Sequence, residues 1–363
     1  MTSALIITWD GGGNLPPALG IGRELQARGV AVRVLGNAVQ ADAVAAAGLA
    51  FTPFTLGRDY VSAEPRGTVD GVRGLVALFA DRGIADDARA MLDAEPADLV
   101  IVDCLLWGAA AQLQAEGHRV ISLVHSLADY FDRNARGPVG LLARMRGVNP
   151  PRVARGAALT LVTTRADLEA GPRPGEVHTG FVWQGVPAQA TAAAVPQVLV
   201  SFSTTAFPGQ AAAMQRVIDA LAQEPVEVLV TTGAVDPADL VPAANTTVVR
   251  RRDHAEVLPT TSVVIGHGGH ATTARALSAG IPVLVIPMHP LMDQPAVGRA
   301  VERLGVGATL PKSASPARIR EATRRLLSDA SVRAAARRMG EEARERDGAA
   351  VAVDALLGVP AQS

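Results

Sequence analysis

Cysteine is almost absent: Cys104 is the only one in 363 residues. No disulfide can form within the chain, and no cysteine-rich zinc site can be built, so a reducing cytoplasm is the expected compartment. Aromatic residues make up 3%, and Lys312 is the sole lysine, the other basic side chains being arginine. Neither sign of charge dominates, with a formal net charge of −1. This balance gives no electrostatic reason to bind nucleic acid or an anionic membrane surface. No apolar run approaches the ~20 residues of a spanning helix. Met1-Thr2-Ser3 leads straight into an apolar stretch without a basic segment before it, so neither membrane insertion nor a signal peptide is expected. An Asp-x-Asp element, which could carry a metal-bound diphosphate, is also missing. No metal site and no cofactor are expected.

Hydrophobic residues, at 48%, are plentiful enough for two buried cores, and the length suits two domains. Short, continuous apolar runs alternate with helix-length amphipathic stretches. Strands are predicted over residues 4–9, 31–36, 99–103, 120–125 and 159–163, and helices over 17–28 and 106–116. Continuous runs indicate strands covered on both faces, hence a parallel, doubly wound sheet. The pattern breaks at 184–197, where Pro187 and Pro196 bracket an alanine-rich segment without apolar periodicity, an interdomain linker. It restarts with strands at 198–202, 226–231, 247–250, 262–265 and 282–286, and helices close the chain over 316–346. The expected fold is α/β: two Rossmann-like domains, residues 1–183 and 198–345, facing across a cleft. Residues 346–363 form a tail or helix packing back on the first domain. Functional residues belong just after the carboxyl ends of the strands. The stretches 51–83 and 130–151 read as long irregular loops, the kind that shape ligand pockets. Phe79, Tyr130, Phe131, Leu141, Leu142 and Met145 are candidates to line one, whereas Trp9 and Trp107 read as packing residues.

The strongest local signal is Ile265-Gly266-His267-Gly268-Gly269-His270-Ala271-Thr272-Thr273. An apolar strand ends, glycines follow, and a helix is expected to begin near Thr272. Glycine lets a phosphate approach the backbone, and the free N–H groups of a helix start point at it. His267 adds a donor and Thr272 a hydroxyl. Downstream, Asp293-Gln294 suits vicinal sugar hydroxyls. Upstream, Asp253-His254 follows a strand, and Ser201-Phe202-Ser203-Thr204-Thr205 follows the first strand of this half.

These residues resemble family 1 glycosyltransferases of GT-B fold, the bacterial natural-product enzymes in particular. Their donor motifs are matched in order by His254 with Val257-Leu258-Pro259, by His267-Gly268-Gly269 with Thr272, by Gly280-Ile281-Pro282, and by Asp293-Gln294. The resemblance implies an inverting, metal-independent transferase. Its co-substrate would be a nucleotide-diphosphate sugar, dTDP- or UDP-linked, and its acceptor a small lipophilic molecule such as a polyketide, macrolide or aromatic natural product. It makes the first domain the acceptor-binding one and the second the nucleotide-sugar one. By it, His267, Gly268, Gly269 and Thr272 hold diphosphate, Asp293 and Gln294 hold the sugar, and Ser203, Thr204, Thr232 and His254 lie around phosphate and base. Arg275 occupies a position where plant members bind ribose with a glutamate, which favours a dTDP donor over UDP. A homodimer is compatible with the resemblance.

The acceptor side departs from that pattern. Family members carry Gly-His-x-x-Pro after the first strand, the histidine being the general base. Here Gly13 holds that position in Asp10-Gly11-Gly12-Gly13-Asn14-Leu15-Pro16. The triple glycine lacks the G-x-G-x-x-G spacing of a dinucleotide site. Asp10, Asp103 and His125 are the candidate replacements. Asp10 is the first choice, being three residues from the vacated position, and Asp103 the second, since it matches the aspartate that orients the family's histidine. Two alternatives stay open: a nucleotide-sugar epimerase of the same architecture, and a non-catalytic partner of a transferase.

Overall fold

A computed structural model describes residues 2–64, 66–169, 171–183, 189–191 and 194–358. Residues 184–188, 192 and 193 of the expected linker, and 359–363 of the tail, lie outside the described residues. The chain divides into two compact units: Met1–Ser62, Arg66–Gln184 and Asp347–Ser363 form the first, and Ala63–Pro65 and Gly185–Arg346 the second.

The first unit is built on seven strands: β1 (Ser3–Ile7), β2 (Ala31–Gly36), β3 (Ala50–Pro53), β4 (Leu99–Asp103), β5 (Val120–Val124), β6 (Leu159–Val162) and β7 (Glu176–His178). Their order is β3-β2-β1-β4-β5-β6-β7, and every pair is parallel. Strand alternation explains the continuous apolar runs. Leu5, Ile7, Val100 and Val102 fill the core on one face. Ala4, Ile6, Leu99 and Ile101 fill the core on the other. The order reverses between β1 and β4, so the loops after these strands diverge and leave a ligand position at their carboxyl ends.

The second unit has six parallel strands: β8 (Gln197–Ser201), β9 (Glu227–Thr231), β10 (Thr246–Val249), β11 (Thr261–Gly266), β12 (Val283–Val285) and β13 (Gly307–Thr309). Their order is β10-β9-β8-β11-β12-β13, which puts the reversal between β8 and β11. Val200 and Ile265 face one core, while Leu199 and Val264 on the opposite face are also fully buried. The helix Gly348–Leu357 belongs to the first unit, where Ala352, Val353 and Leu356 pack with Leu19 and Leu25 of the helix Leu15–Ala27. Among the described residues no helix is long and apolar enough to cross a membrane.

Two expectations need correction. The stretch 130–151 is largely helical, carrying the helix Ala128–Arg136, Pro138–Met145 and Pro150–Arg155, and 51–83 ends in the helix Thr68–Phe79, although its described residues 54–64, 66 and 67 form no helix or strand. These helices are short and punctuated by Gly137-Pro138 and Asn149-Pro150, so no long amphipathic period marks them. The helix Ala128–Arg136 is instead supported by local charge, with Arg136 bonded to Asp132 one turn earlier at 3.0 Å. Phe79 does not face solvent. It packs edge-on against both Trp9 and Trp107 in the core.

Candidate functional site

In the first unit, β1, β4 and β5 are neighbours, and their carboxyl ends bring three polar residues together. Asp103 closes β4 and is 2% exposed. Its Oδ1 accepts the Leu105 N–H at 3.0 Å, and its Oδ2 accepts the Asn14 side-chain N–H at 3.0 Å. The same Oδ2 lies 3.0 Å from Nδ1 of His125, the residue that follows β5. That approach is close but not linear. Burial alone would raise the carboxyl pKa. The adjacent His125, the Leu105 N–H and Asn14 outweigh burial and hold it below the usual carboxylate value. Asp103 therefore stays ionised.

The His125 ring has an edge-to-face neighbour in Phe131, with centroids 4.9 Å apart. Its Nε2 is bonded to no protein group and is not among the buried atoms. One nitrogen thus faces a buried carboxylate, and the other is without a protein partner and not fully buried. Asn14 explains how the glycine loop is tied to this pair. Its Nδ2 also donates to the Trp9 carbonyl at 2.9 Å, and its Oδ1 accepts the Gly11 N–H at 3.1 Å. Sequence reading missed Asn14 and Phe131 as part of this cluster, because only the strand order reveals which loops meet.

Asp10 is placed differently. Its Oδ2 accepts the Ser62 N–H at 2.8 Å, while its own N–H donates to Asn37 Oδ1 at 2.9 Å. Asp10 makes no hydrogen bond or ion pair with Asp103 or His125. Cys104 comes nearer, since the donor atoms of Asp103, Cys104 and His125 lie within 4.8 Å of one another. Burial and the Asp103 charge push the Cys104 thiol well up, which disfavours the thiolate a metal would need.

In the second unit, the glycine-rich turn follows β11, beside the end of β8. Gly268 has φ +84, and a Cβ there would sit 2.6 Å from Val285 Cγ1. Only glycine fits without strain. At Gly269 a Cβ would collide with His267 Nε2 at 2.5 Å. The helix His270–Ser278 begins at once, and no side chain caps it. Its first N–H groups therefore have no intrahelical partner. His267 lies in an aromatic setting, stacked on Phe202 and tilted against Phe207. Burial lowers its pKa to about 4, so it is a neutral ring, and its Nδ1 is buried without a partner.

Around this turn the remaining candidates vary in placement. Thr272 is partly exposed on the first turn of the helix. Ser203 is buried, and its Oγ accepts the Thr205 N–H at 2.9 Å; Thr204 is exposed. The Thr232 Oγ1 is buried without a partner. His254 Nε2 lies 3.2 Å from Ser201 Oγ, and burial, aided by Arg275, lowers its pKa to about 4. Gln294 Oε1 accepts the N–H groups of Met288 and His289 at 2.7 and 3.1 Å, so it fixes the preceding loop. No protein acceptor takes its amide protons. Asp293 occupies the N-cap of the helix Gln294–Arg303. His289, which packs against Phe207 at 6.0 Å, was not anticipated.

Known proteins share both sequence and fold with this chain. Residues 215–356 match the family "Erythromycin biosynthesis protein CIII-like, C-terminal domain". Over 98% of the chain and 99% of the relative, identity is 26% with a 4'-demethylrebeccamycin synthase of Lentzea aerocolonigenes. A demethyllactenocin mycarosyltransferase of Streptomyces fradiae is 29% identical over 45% of this chain and 36% of its own. The crystal structure of the calicheamicin glycosyltransferase CalG4 superposes with a TM-score of 0.77 at 23% identity, covering 99% and 98% of the two chains. The chain is a glycosyltransferase of GT-B fold. Its sequence relatives act in natural-product pathways, and its two parallel-sheet domains are those of the antibiotic glycosyltransferases. In this transferase the glycine turn, His254 and Asp293-Gln294 all fall within the matched C-terminal segment.

Proposed function

We propose that this glycosyltransferase moves a sugar from a nucleoside diphosphate to a hydroxyl of a small lipophilic acceptor, inverting the anomeric carbon and needing no metal. The second unit is the donor domain in this reading, and the first holds the acceptor. The observation that carries it is the turn His267–Gly269. It combines a left-handed glycine, an uncapped helix start and a neutral histidine with an unpartnered nitrogen. Such N–H groups receive a diphosphate at the positive end of a helix dipole. As the bond from sugar to phosphate breaks, charge grows on the leaving oxygen. Preorganised donors stabilise that growing charge more than the ground state, which speeds the reaction. These donors take the role a divalent cation would otherwise have.

Gln294 offers free amide protons to a sugar hydroxyl, and Asp293 offers a carboxylate beside it. Arg275, half-buried on the helix His270–Ser278, cannot accept hydrogen bonds from ribose hydroxyls. A related fold, the glycosyltransferase VinC, has been crystallised with dTDP. Both favour dTDP as the nucleotide here. On the acceptor side, Leu141, Leu142 and Met145 present apolar surface on the helix Pro138–Met145. That surface suits a lipophilic molecule.

The test is a thermal-shift comparison of dTDP, UDP and GDP, each with and without EDTA. Ligand at 100 times its dissociation constant contributes about 2.7 kcal/mol of apparent stability. We expect dTDP to give the largest shift, unchanged by EDTA. A shift seen only with magnesium or manganese would refute the metal-free donor site. Turnover of a nucleotide sugar without any acceptor would favour an epimerase instead.

A further inference from the structure

The glycosyltransferase chemistry needs a group to take the acceptor's proton, and the glycine loop after β1, Asp10 to Asn14, holds no histidine. We propose that His125, in the loop after β5, is the general base, with Asp103 as its positioning residue. This rests on the transfer reaction set out above.

Four observations support it. First, Asp103 is ionised and 2% exposed, and an isolated carboxylate in that environment is costly unless it is partnered. Its partners are Asn14, the Leu105 N–H and His125. Second, the Asp103 Oδ2 lies 3.0 Å from His125 Nδ1, and a carboxylate at that distance favours the tautomer with the proton on Nδ1 and the lone pair on Nε2. Third, Nε2 has no protein partner and is not fully buried, while Phe131 limits rotation of the ring. Fourth, the competing Asp10 carboxylate accepts the Ser62 N–H and makes no hydrogen bond or ion pair with Asp103 or His125. Asn14, next to Gly13, supplies the other side-chain contact to Asp103.

The step balances simply. His125 Nε2 takes the hydroxyl proton of the acceptor. The oxygen pair so released forms the new bond to the anomeric carbon, as the bond from that carbon to the diphosphate oxygen breaks. The electron pair of that bond leaves with the diphosphate. Asp103 stays ionised and stabilises the imidazolium, which then loses its proton to solvent.

The experiment compares two acceptors with dTDP-glucose and UDP-glucose as donors. One is 2-chloro-4-nitrophenol, already ionised at neutral pH; the other is 4-methylumbelliferone under mildly acidic conditions, where it is un-ionised. His125→Gln should lose ~10²–10⁴-fold in kcat with the un-ionised acceptor. It should stay within several-fold of wild type with the nitrophenolate, which needs no base. Asp103→Asn should show the same selectivity to a smaller degree, with kcat lowered more than KM is raised. A binding control separates the two readings: loss of the dTDP shift in the wild-type chain would sink the donor site and leave this assignment standing. Nitrogen NMR of the labelled imidazole supplies a measurement independent of any acceptor. Neutral His125 should carry its proton on Nδ1, with Nε2 unprotonated. The assignment is overturned by the reverse tautomer, by equal losses with both acceptors, by Asp10→Asn reproducing the selective loss, or by activity that disappears in EDTA. The last result would mean that a metal takes part in activating the reacting groups.

Discussion

At the scale of single residues, the donor turn is a set of exact steric demands. Gly268 at φ +84 would place a Cβ 3.0 Å from the Gln294 carbonyl oxygen as well as against Val285. Gly268→Ala should therefore cost about 1–3 kcal/mol of stability and weaken dTDP binding, read by denaturant melts and thermal shift. His267 and Asp293 should fail differently. His267→Ala removes a donor to the leaving group and should lower kcat by ~10²–10³-fold. Asp293→Ala should instead relax the choice among nucleotide sugars, measured as ratios of kcat/KM. The buried imidazoles also set a pH dependence. Burial holds His267 and His254 neutral down to about pH 4, against an ordinary value of 6.5. Their folded pKa values are depressed, so the unfolded chain takes up protons first as pH falls. Stability is full above 6.5 and is lost between 6.5 and about 4, by at most about 3 kcal/mol per histidine. His267→Gln should show a shallower loss over that window in melting temperature.

At the scale of elements, sequence legibility divides by locality. The turn from Ile265 to Thr273 was readable because strand end, glycines and helix start are consecutive. The helix begins at His270, two residues before the expected Thr272. The strands β3, β7 and β13 escaped because they are only 4, 3 and 3 residues long and leave no apolar run. Asn14, Asp103 and His125 are separated widely in sequence, and only the order β1-β4-β5 makes them neighbours. Their types were visible, since two of the three were candidates for the chemistry, but their grouping was not. Asp10 looked the better base on sequence separation alone. In the structure its carboxylate accepts the Ser62 N–H and makes no hydrogen bond or ion pair with Asp103 or His125, which is why we propose His125 in its place. One element gives a separate prediction. The helix Gly348–Leu357 buries Ala349, Ala352, Val353 and Leu356 in the first unit. Removing residues 347–363 should destabilise that unit by several kcal/mol, at ~1.5–3 kcal/mol for each large apolar side chain exposed. The second unit should keep its melting transition, and differential scanning calorimetry can resolve the two.

At the scale of the whole molecule, two parallel sheets of the same kind carry different chemistry at their strand ends. The second unit presents backbone N–H groups and a neutral histidine, which suit an anionic leaving group. The first presents an ionised carboxylate beside an imidazole whose Nε2 has no protein partner, which suits a proton acceptor. The reaction we propose is a direct displacement, with the acceptor oxygen deprotonated as it attacks and the diphosphate stabilised as it departs. A direct displacement inverts the anomeric carbon. The most direct measurement is the configuration of the glycoside formed from α-linked dTDP-glucose and 4-methylumbelliferone in the presence of EDTA, read by proton NMR. The account predicts a β-glycoside at an undiminished rate; an α-glycoside, or a product that forms only when a divalent cation is restored, would contradict it.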